Sequence, residues 1–381
     1  MKKKIKIVIS PDSFKGSLSA RDAAEAIAHG LRTGFGADTD FEPILLPIAD
    51  GGEGTLDALV TEDARIDLTV TGTGGAPVSA CYGYLGDTAV IEMARAAGLT
   101  LVPEAERNAA TATTYGVGEL ILDALSRGYR RFLLTVGGSG TNDGGCGMFA
   151  SLGARFYDAD GKAFLPTGGT LDRIDHIDLS GLDRRLYDSR FVIATDVKNP
   201  LCGKDGATRV YAPQKGADQA SLDRMEAGMR HYADLLQSLC GRDVAEVAGC
   251  GAGGGISAPL LAFLGGEIVS GIHAVLSALR FEEQVKDADA VITGEGKIDR
   301  QSLYGKAISG VAEIAHRHNV PVICLVGCIG DDRQALLDLG IHTLLATADI
   351  APSPAYSIAH AAELLEKLAE ELTRTRFVGR F

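Results

Sequence analysis

Five times along this chain a short apolar run stops at a glycine-rich loop holding a carboxylate, and a helix start or second turn follows. The loops are "PDSFKGS" with Asp12 and Lys15, "ADGGEGT" with Asp50 and Glu53, "GGSGTNDGG" with Asp143, "ATDVKNPLCG" with Asp196 and Lys198, and "TGEGKIDRQS" with Glu295, Lys297 and Asp299. Such a chain folds as α/β. Parallel strands must return through crossovers, so strand-to-helix turns collect at the carboxyl ends of the strands. With 381 residues, more than one core normally organises, two domains are expected.

The alternation is regular at both ends and irregular between them. "IKIVIS", a helix over roughly 20–33, "FEPILLPIA" and a helix near "TLDALV" read as βαβα. Ser19 and Asp22 fit a capping box at the first helix start. From about 68 to 95 the β-branched residues and glycine turns of "LTVTGTGGAPVSACYGYLGDTAVIEMA" predict antiparallel strands. The middle mixes helices ("YGVGELILDALSRG", "SLDRMEAGMRHYADLLQSLCG") with strands ("RFLLTVGG", "RFVIATDV"). From about 287 the alternation resumes: "DADAVITGEG", a helix over roughly 305–318, "PVICLVGCIG", a helix near 331–338, "IHTLLATAD" and a terminal helix over roughly 357–373.

Composition removes several classes. A formal net charge of −13 offers no basic field for nucleic acid or an anionic membrane. "MKKKIK" precedes an apolar run shorter than a signal h-region and without a cleavage site, so the start reads as mature and cytoplasmic. The uncharged run "VAGCGAGGGISAPLLAFLGG" nearly reaches membrane-span length, but its glycines and Pro259 argue against a span. Seven scattered cysteines without CxxC spacing suggest neither disulfides nor zinc, but reduced thiols.

Each loop alone could be an ordinary turn, since Gly, Asp and Ser serve positive φ and helix caps. Five together, several pairing an acid with a lysine, suggest phosphoryl transfer. Glycine lets backbone N–H groups approach phosphate, lysine neutralises it, and carboxylates face a bridging divalent cation. No GxxxxGK[ST] loop or protein-kinase signature occurs. "GCGAGG" at 249–254 matches the dinucleotide fingerprint, but "GRDVAEVA" before it is a poor strand. Histidines and serines form no metal-binding or hydrolytic constellation. A nicotinamide-dependent dehydrogenase and a non-catalytic sugar-acid sensor are the alternatives.

At these loops the chain resembles the bacterial glycerate kinases of the glycerate 2-kinase type. The matching stretches are "SPDSFKGSLSA", "LPIADGGEGT", "IEMARAAGL", "ATTYGVGELI", "VGGSGTNDGG", "ATDVKNPLCG", "PQKGA" and "DAVITGEGKIDRQSLYGKA", in order over essentially the whole chain. It departs at "GCGAGGGISAPL", where Ser257 and Pro259 replace small residues, and at "VGCIGDD".

The resemblance implies ATP-dependent, magnesium-requiring phosphorylation of D-glycerate, most simply to 2-phosphoglycerate. It also implies two α/β domains facing a cleft, one a flavodoxin-like doubly wound parallel sheet, the other mixed and likened to restriction enzymes. We expect the first to comprise 1–70 and 285–381, with 71–284 inserted. On this resemblance Lys15, at a helix N-terminus, contacts the transferring phosphate. Asp196 accepts the hydroxyl proton, with Asp143 the next candidate for that catalytic role, and Asp143, Glu295 and Asp299 are the magnesium candidates. Arg95, with Lys198 or Lys215, pairs with the glycerate carboxylate. Asp12, Ser17, Asp50, Glu53, Ser139, Thr141, Asn142, Asn199, Gly294 and Lys297 complete the expected site.

Overall fold

The computed structural model describes residues 4–37, 39–52, 54–298, 307–330, 333–337 and 340–376. Two compact units emerge: one runs to Asp50 and resumes at Val275, and the other is Gly51–Ala274. These boundaries differ from 70 and 285. Helix Thr55–Leu59 and strand Arg65–Thr71 belong with the second unit because they pack on strands Pro77–Leu85 and Thr88–Glu92.

In the first unit, strands Ile5–Pro11, Phe41–Leu45, Ala290–Gly294, Val322–Val326 and Ile341–Ala346 are all parallel. Numbered along the chain, they lie in the order 2-1-3-4-5, the flavodoxin-like arrangement, with the direction of winding reversing between the first and third. Near-continuous apolar strands fit a sheet covered on both faces: Ile7, Ile9, Ile292, Ile323 and Leu325 are buried. Gly294 ends the third strand because a Cβ there would lie 1.8 Å from the Leu325 carbonyl oxygen. Helix Ala20–Phe35 turns an alanine-rich face (Ala23, Ala24, Ile27, Ala28, Leu31) to this core, beside helix Ala361–Arg376. The expected terminal helix is instead two, Pro354–Ala359 and Ala361–Arg376. Ser353 caps the extra one, with Pro354 in its first turn, where no N–H is needed.

The second unit has a six-stranded mixed sheet. Glu267–Val269, Arg190–Ala194, Arg131–Thr135 and Thr88–Glu92 run parallel, and Pro77–Leu85 and Arg65–Thr71 add antiparallel neighbours. The antiparallel text of 68–95 therefore folds as expected. Phe132 and Phe191 stack at 4.8 Å in a core that also holds Tyr82, Ile91 and Phe149. Residues 249–254 form turns and a short 3-10 segment with no preceding strand, so "GCGAGG" lacks the context of a dinucleotide fingerprint. Helix Ser257–Phe263 follows, with Pro259 in its first turn. All seven cysteines are free thiols, five of them buried. Among the described residues no helix is long and apolar enough to cross a membrane.

Candidate active site

In the parallel-sheet unit, loops from all five strands frame a cavity of about 520 Å³ at the carboxyl edge. It lies at the topological switch point, where open α/β sheets bind ligands. Its lining combines the charged Asp12, Lys15, Asp50, Glu295 and Lys297 with an apolar wall that includes Phe14, Ala348, Pro354, Ile358 and Ala361. Five charged residues from three sequence-distant loops thus converge as expected. The apolar lining residues are absent from the sequence candidates.

Asp12 is 9% exposed and its Oδ1 accepts the Ser13 N–H at 2.6 Å. Burial pushes its carboxyl up to about 6. Asp50 and Glu295 push the same way, while the Ser13 hydrogen bond and Lys15 oppose them. Neighbouring carboxylates of this kind favour a cationic ligand.

Lys15 does not sit on a helix N-terminus. The Phe14 N–H donates to the Leu18 carbonyl at 2.9 Å, and the Ser17 and Leu18 N–H groups donate to Phe14 O at 2.8 and 3.0 Å. This closes a separate turn with Lys15 and Gly16 at its tip, where Gly16 adopts φ +79°. Helix Ala20–Phe35 begins beyond it and is already capped. Ser19 Oγ accepts the Asp22 N–H at 3.1 Å, the N-cap half of the anticipated capping box, and donates to Asp22 Oδ2 at 2.7 Å, so the carboxylate meets the Ser19 hydroxyl. The Asp22 carboxylate occupies the positive end of the dipole, so anion attraction at Lys15 comes from its own charge. Ser17 also lines the cavity, but its hydroxyl donates to Ile358 O at 2.7 Å, tying the turn to the apolar wall. Gly294 serves strand packing rather than ligand contact. Glu53 and Asp299 lie outside the described residues.

The mixed-sheet unit carries the other expected residues. Asp196 is exposed just past strand Arg190–Ala194, its Oδ1 accepting the Gly271 N–H at 2.9 Å. Lys198 is exposed nearby in sequence, whereas Asn199 is engaged: it donates to Asp205 O and accepts from the Tyr211 hydroxyl. Arg95 is held by Asp57 Oδ2 at 2.6 Å, a carboxylate that also meets Arg65 at 2.9 Å. Glu92, absent from the sequence candidates, is buried at the end of its strand. It accepts the Gly54 and Leu56 N–H groups at 2.9 and 3.2 Å, fixing the "GGEGT" loop.

Asp143 is sealed, with 0% exposure. Oδ2 accepts from the Thr114 N–H, the Thr114 hydroxyl and the Gly147 N–H, and Oδ1 from the Gly145 N–H. A carboxylate with four protein donors and no solvent exposure braces its loop and presents no open oxygen to the cavity of the parallel sheet. Lys215, 2% exposed, donates to Ser139 Oγ and Thr141 O, both at 2.7 Å, and burial lowers its amine to about 7. Thr141 and Asn142 are likewise fully buried, and Asn142 donates to Thr208 Oγ1. These four residues hold the glycine loop in shape.

The glycerate kinase family model matches residues 7–376. The chain is 46% identical over 373 residues to a glycerate kinase of Bacillus subtilis, covering 97% of each. To a glycerate 2-kinase of Escherichia coli it is 45% identical over 346 residues, 90% of each. The chain belongs to the glycerate kinase family. A solved structure described as a candidate glycerate kinase 2 from Salmonella typhimurium superposes with a TM-score of 0.87 at 41% identity, covering 99% of this chain and 100% of that one.

A glycerate kinase takes a nucleotide as phosphoryl donor, and kinases commonly use magnesium with it. Among the described residues no three His, Cys, Asp or Glu side chains are arranged as a metal-binding group. Magnesium needs no such cage, because it keeps waters and binds through one or two carboxylates plus phosphate oxygens. The hard oxygen donors of Asp12, Asp50 and Glu295 line one cavity, where Asp50 and Glu295 help raise Asp12, and one or two of them fit that mode.

Proposed function

We propose that the enzyme transfers the γ-phosphoryl group of ATP to D-glycerate, giving ADP and 2-phosphoglycerate. The observation that carries this reading is the 520 Å³ cavity at the switch point of the parallel sheet, whose lining combines lysines and carboxylates with apolar side chains. It falls within the usual range for nucleotide- or drug-sized ligands of roughly 300–1,000 Å³, far larger than a three-carbon acid requires. The purine lies on the wall of Pro354 and Ile358, and the phosphates lie toward Lys15 and Lys297.

One or two of the Asp12, Asp50 and Glu295 carboxylates would hold magnesium, which would neutralise phosphate charge. Lys15 and Lys297 add the positive charge that the acids alone would deny a triphosphate. The hydroxy acid is assigned to the carboxyl-edge loops of the mixed sheet. There the carboxylate of Asp196, oriented by the Gly271 N–H, takes the proton of the attacking hydroxyl. The alkoxide oxygen bonds to the γ-phosphorus, the β–γ bridging bond breaks, and ADP leaves with the electron pair.

ADP release measured with D-glycerate, ATP and magnesium tests the activity, and phosphorus NMR identifies the product. No glycerate-dependent ADP release would overturn the activity, and exclusive 3-phosphoglycerate would overturn the position.

A further inference from the structure

The mixed-sheet unit holds a second, much smaller cavity of about 40 Å³. Strand Arg65–Thr71 is antiparallel to Pro77–Leu85, itself antiparallel to Thr88–Glu92, so its carboxyl end shares an edge with those of Thr88–Glu92 and Arg131–Thr135. Thr73, just past the first, and Gly140, in the loop after the last, line the cavity with Arg107, Asn108 and Thr111. Its frame is fixed by hydrogen bonds: the Gly140 N–H donates to Ala97 O at 2.8 Å, the Thr113 N–H to Thr73 O at 3.0 Å, and the Thr73 hydroxyl to Gly98 O at 2.9 Å.

Arg107 is the chemically unresolved member. Its Nε is buried with no hydrogen-bond acceptor, and among the described residues the guanidinium meets no carboxylate. A buried donor left unmade carries the free-energy cost of its desolvation, so the site is built for an acceptor that is not part of the unit. The planar guanidinium presents Nε–H and Nη–H as a fork that matches a carboxylate. A volume of 40 Å³ admits a carboxylate or a few waters but no nucleotide. Exposed Glu106 is the one acidic lining residue, which disfavours a phosphate dianion. Arg95, the arginine that the sequence favours for this task, is already paired with Asp57.

We infer that the Arg107 cavity seats the carboxylate of the hydroxy-acid substrate. The inference rests on the glycerate-phosphorylating reading only for the identity of the acid, not for the binding chemistry. Thermal melting without nucleotide, in D-glycerate or in uncharged glycerol, reads binding directly. Wild type is expected to be protected by D-glycerate and not by glycerol, and Arg107→Met to lose that protection. In steady state Arg107→Met should raise KM for D-glycerate by about ten- to a hundredfold, the worth of a charged hydrogen bond, with KM for ATP within about twofold. Arg107→Lys, which keeps the charge and loses the fork, should fall between, and it serves alone if the methionine variant does not fold. Protection and glycerate KM unchanged in the variants would mean water alone fills the cavity, and the inference fails. Equal rises in both KM values would mark Arg107 as structural, and the inference also fails. No protection of wild type by any small hydroxy carboxylate overturns it as well. If wild type turns over no glycerate yet gains Arg107-dependent protection, the binding inference stands and the proposed activity falls.

Discussion

Lys15→Ala isolates one positive charge in the cavity proposed for the nucleotide. The turn around Lys15 is held by backbone bonds of Phe14, Ser17 and Leu18, and the side chain is exposed, so truncation should change stability by no more than about 0.5 kcal/mol. Function is another matter. Asp12, Asp50 and Glu295 face two lysines in this cavity, and the variant leaves them facing Lys297 alone. Unit charges about 4 Å apart interact by about 1 kcal/mol in bulk water and about 4 kcal/mol near a protein surface. An exposed residue beside a walled cavity falls between, near 2.7 kcal/mol, so kcat/KM for ATP should fall about a hundredfold. There is a second readout. Lys15 helps hold Asp12 down to about 6, so its loss should move Asp12 higher and shift the acid limb of the kcat/KM profile to higher pH. Purified Lys15→Ala with wild-type kcat/KM and an unmoved acid limb would refute the assignment, whatever its melting temperature.

The strands and their loops were legible because apolar runs ending in Gly, Asp and Lys are local signals, and those loops indeed bring Asp12, Asp50 and Glu295 to one edge of one sheet. Where contacts came from elsewhere in the chain, the same residues misled. Asp143 has the composition of a ligand, yet it is sealed by Thr114, which a loop signature cannot reveal. Arg95 is engaged by Asp57 from another segment. Lys15 reads as the start of a helix, but Ser19 and Asp22, both visible in the sequence, already complete that helix's cap. Arg107 gave no signal because it lies in a 3-10 and loop stretch without the strand–glycine–helix pattern; only its unpaired burial beside a cavity marks it.

Asp196→Asn should keep the Gly271 hydrogen bond through its remaining carbonyl oxygen and fold normally, while kcat falls about two to four orders of magnitude; a loss under about tenfold would place the base elsewhere. Asp143→Asn should put an amide NH2 against donors, costing about 3 kcal/mol in denaturant titration with no change in magnesium requirement; unchanged stability with a raised requirement would restore it as a ligand. On the proposed role of Asp12 toward magnesium, where its carboxyl must ionise, kcat/KM for ATP should rise with pH through about 6, and Asp12→Asn should flatten that limb in its residual activity. Lys215 makes a prediction about stability instead. Its amine is lowered by burial to about 7 in the folded chain, Asp143 opposing, and returns toward 10.5 on unfolding. Between those values the unfolded chain binds the extra proton, so its stability contribution is fully present above about 10.5 and is lost as pH falls through about 7. Over the middle of that window wild type should gain up to about 1.4 kcal/mol per pH unit relative to Lys215→Met. The methionine keeps the apolar stem but leaves Thr141 O without the Lys215 donor, so the variant starts lower by about 1–3 kcal/mol. Denaturant titrations of both proteins from pH 7 to 9 decide it, because that offset cancels in the slope, and parallel curves would show that the buried amine does not titrate with folding.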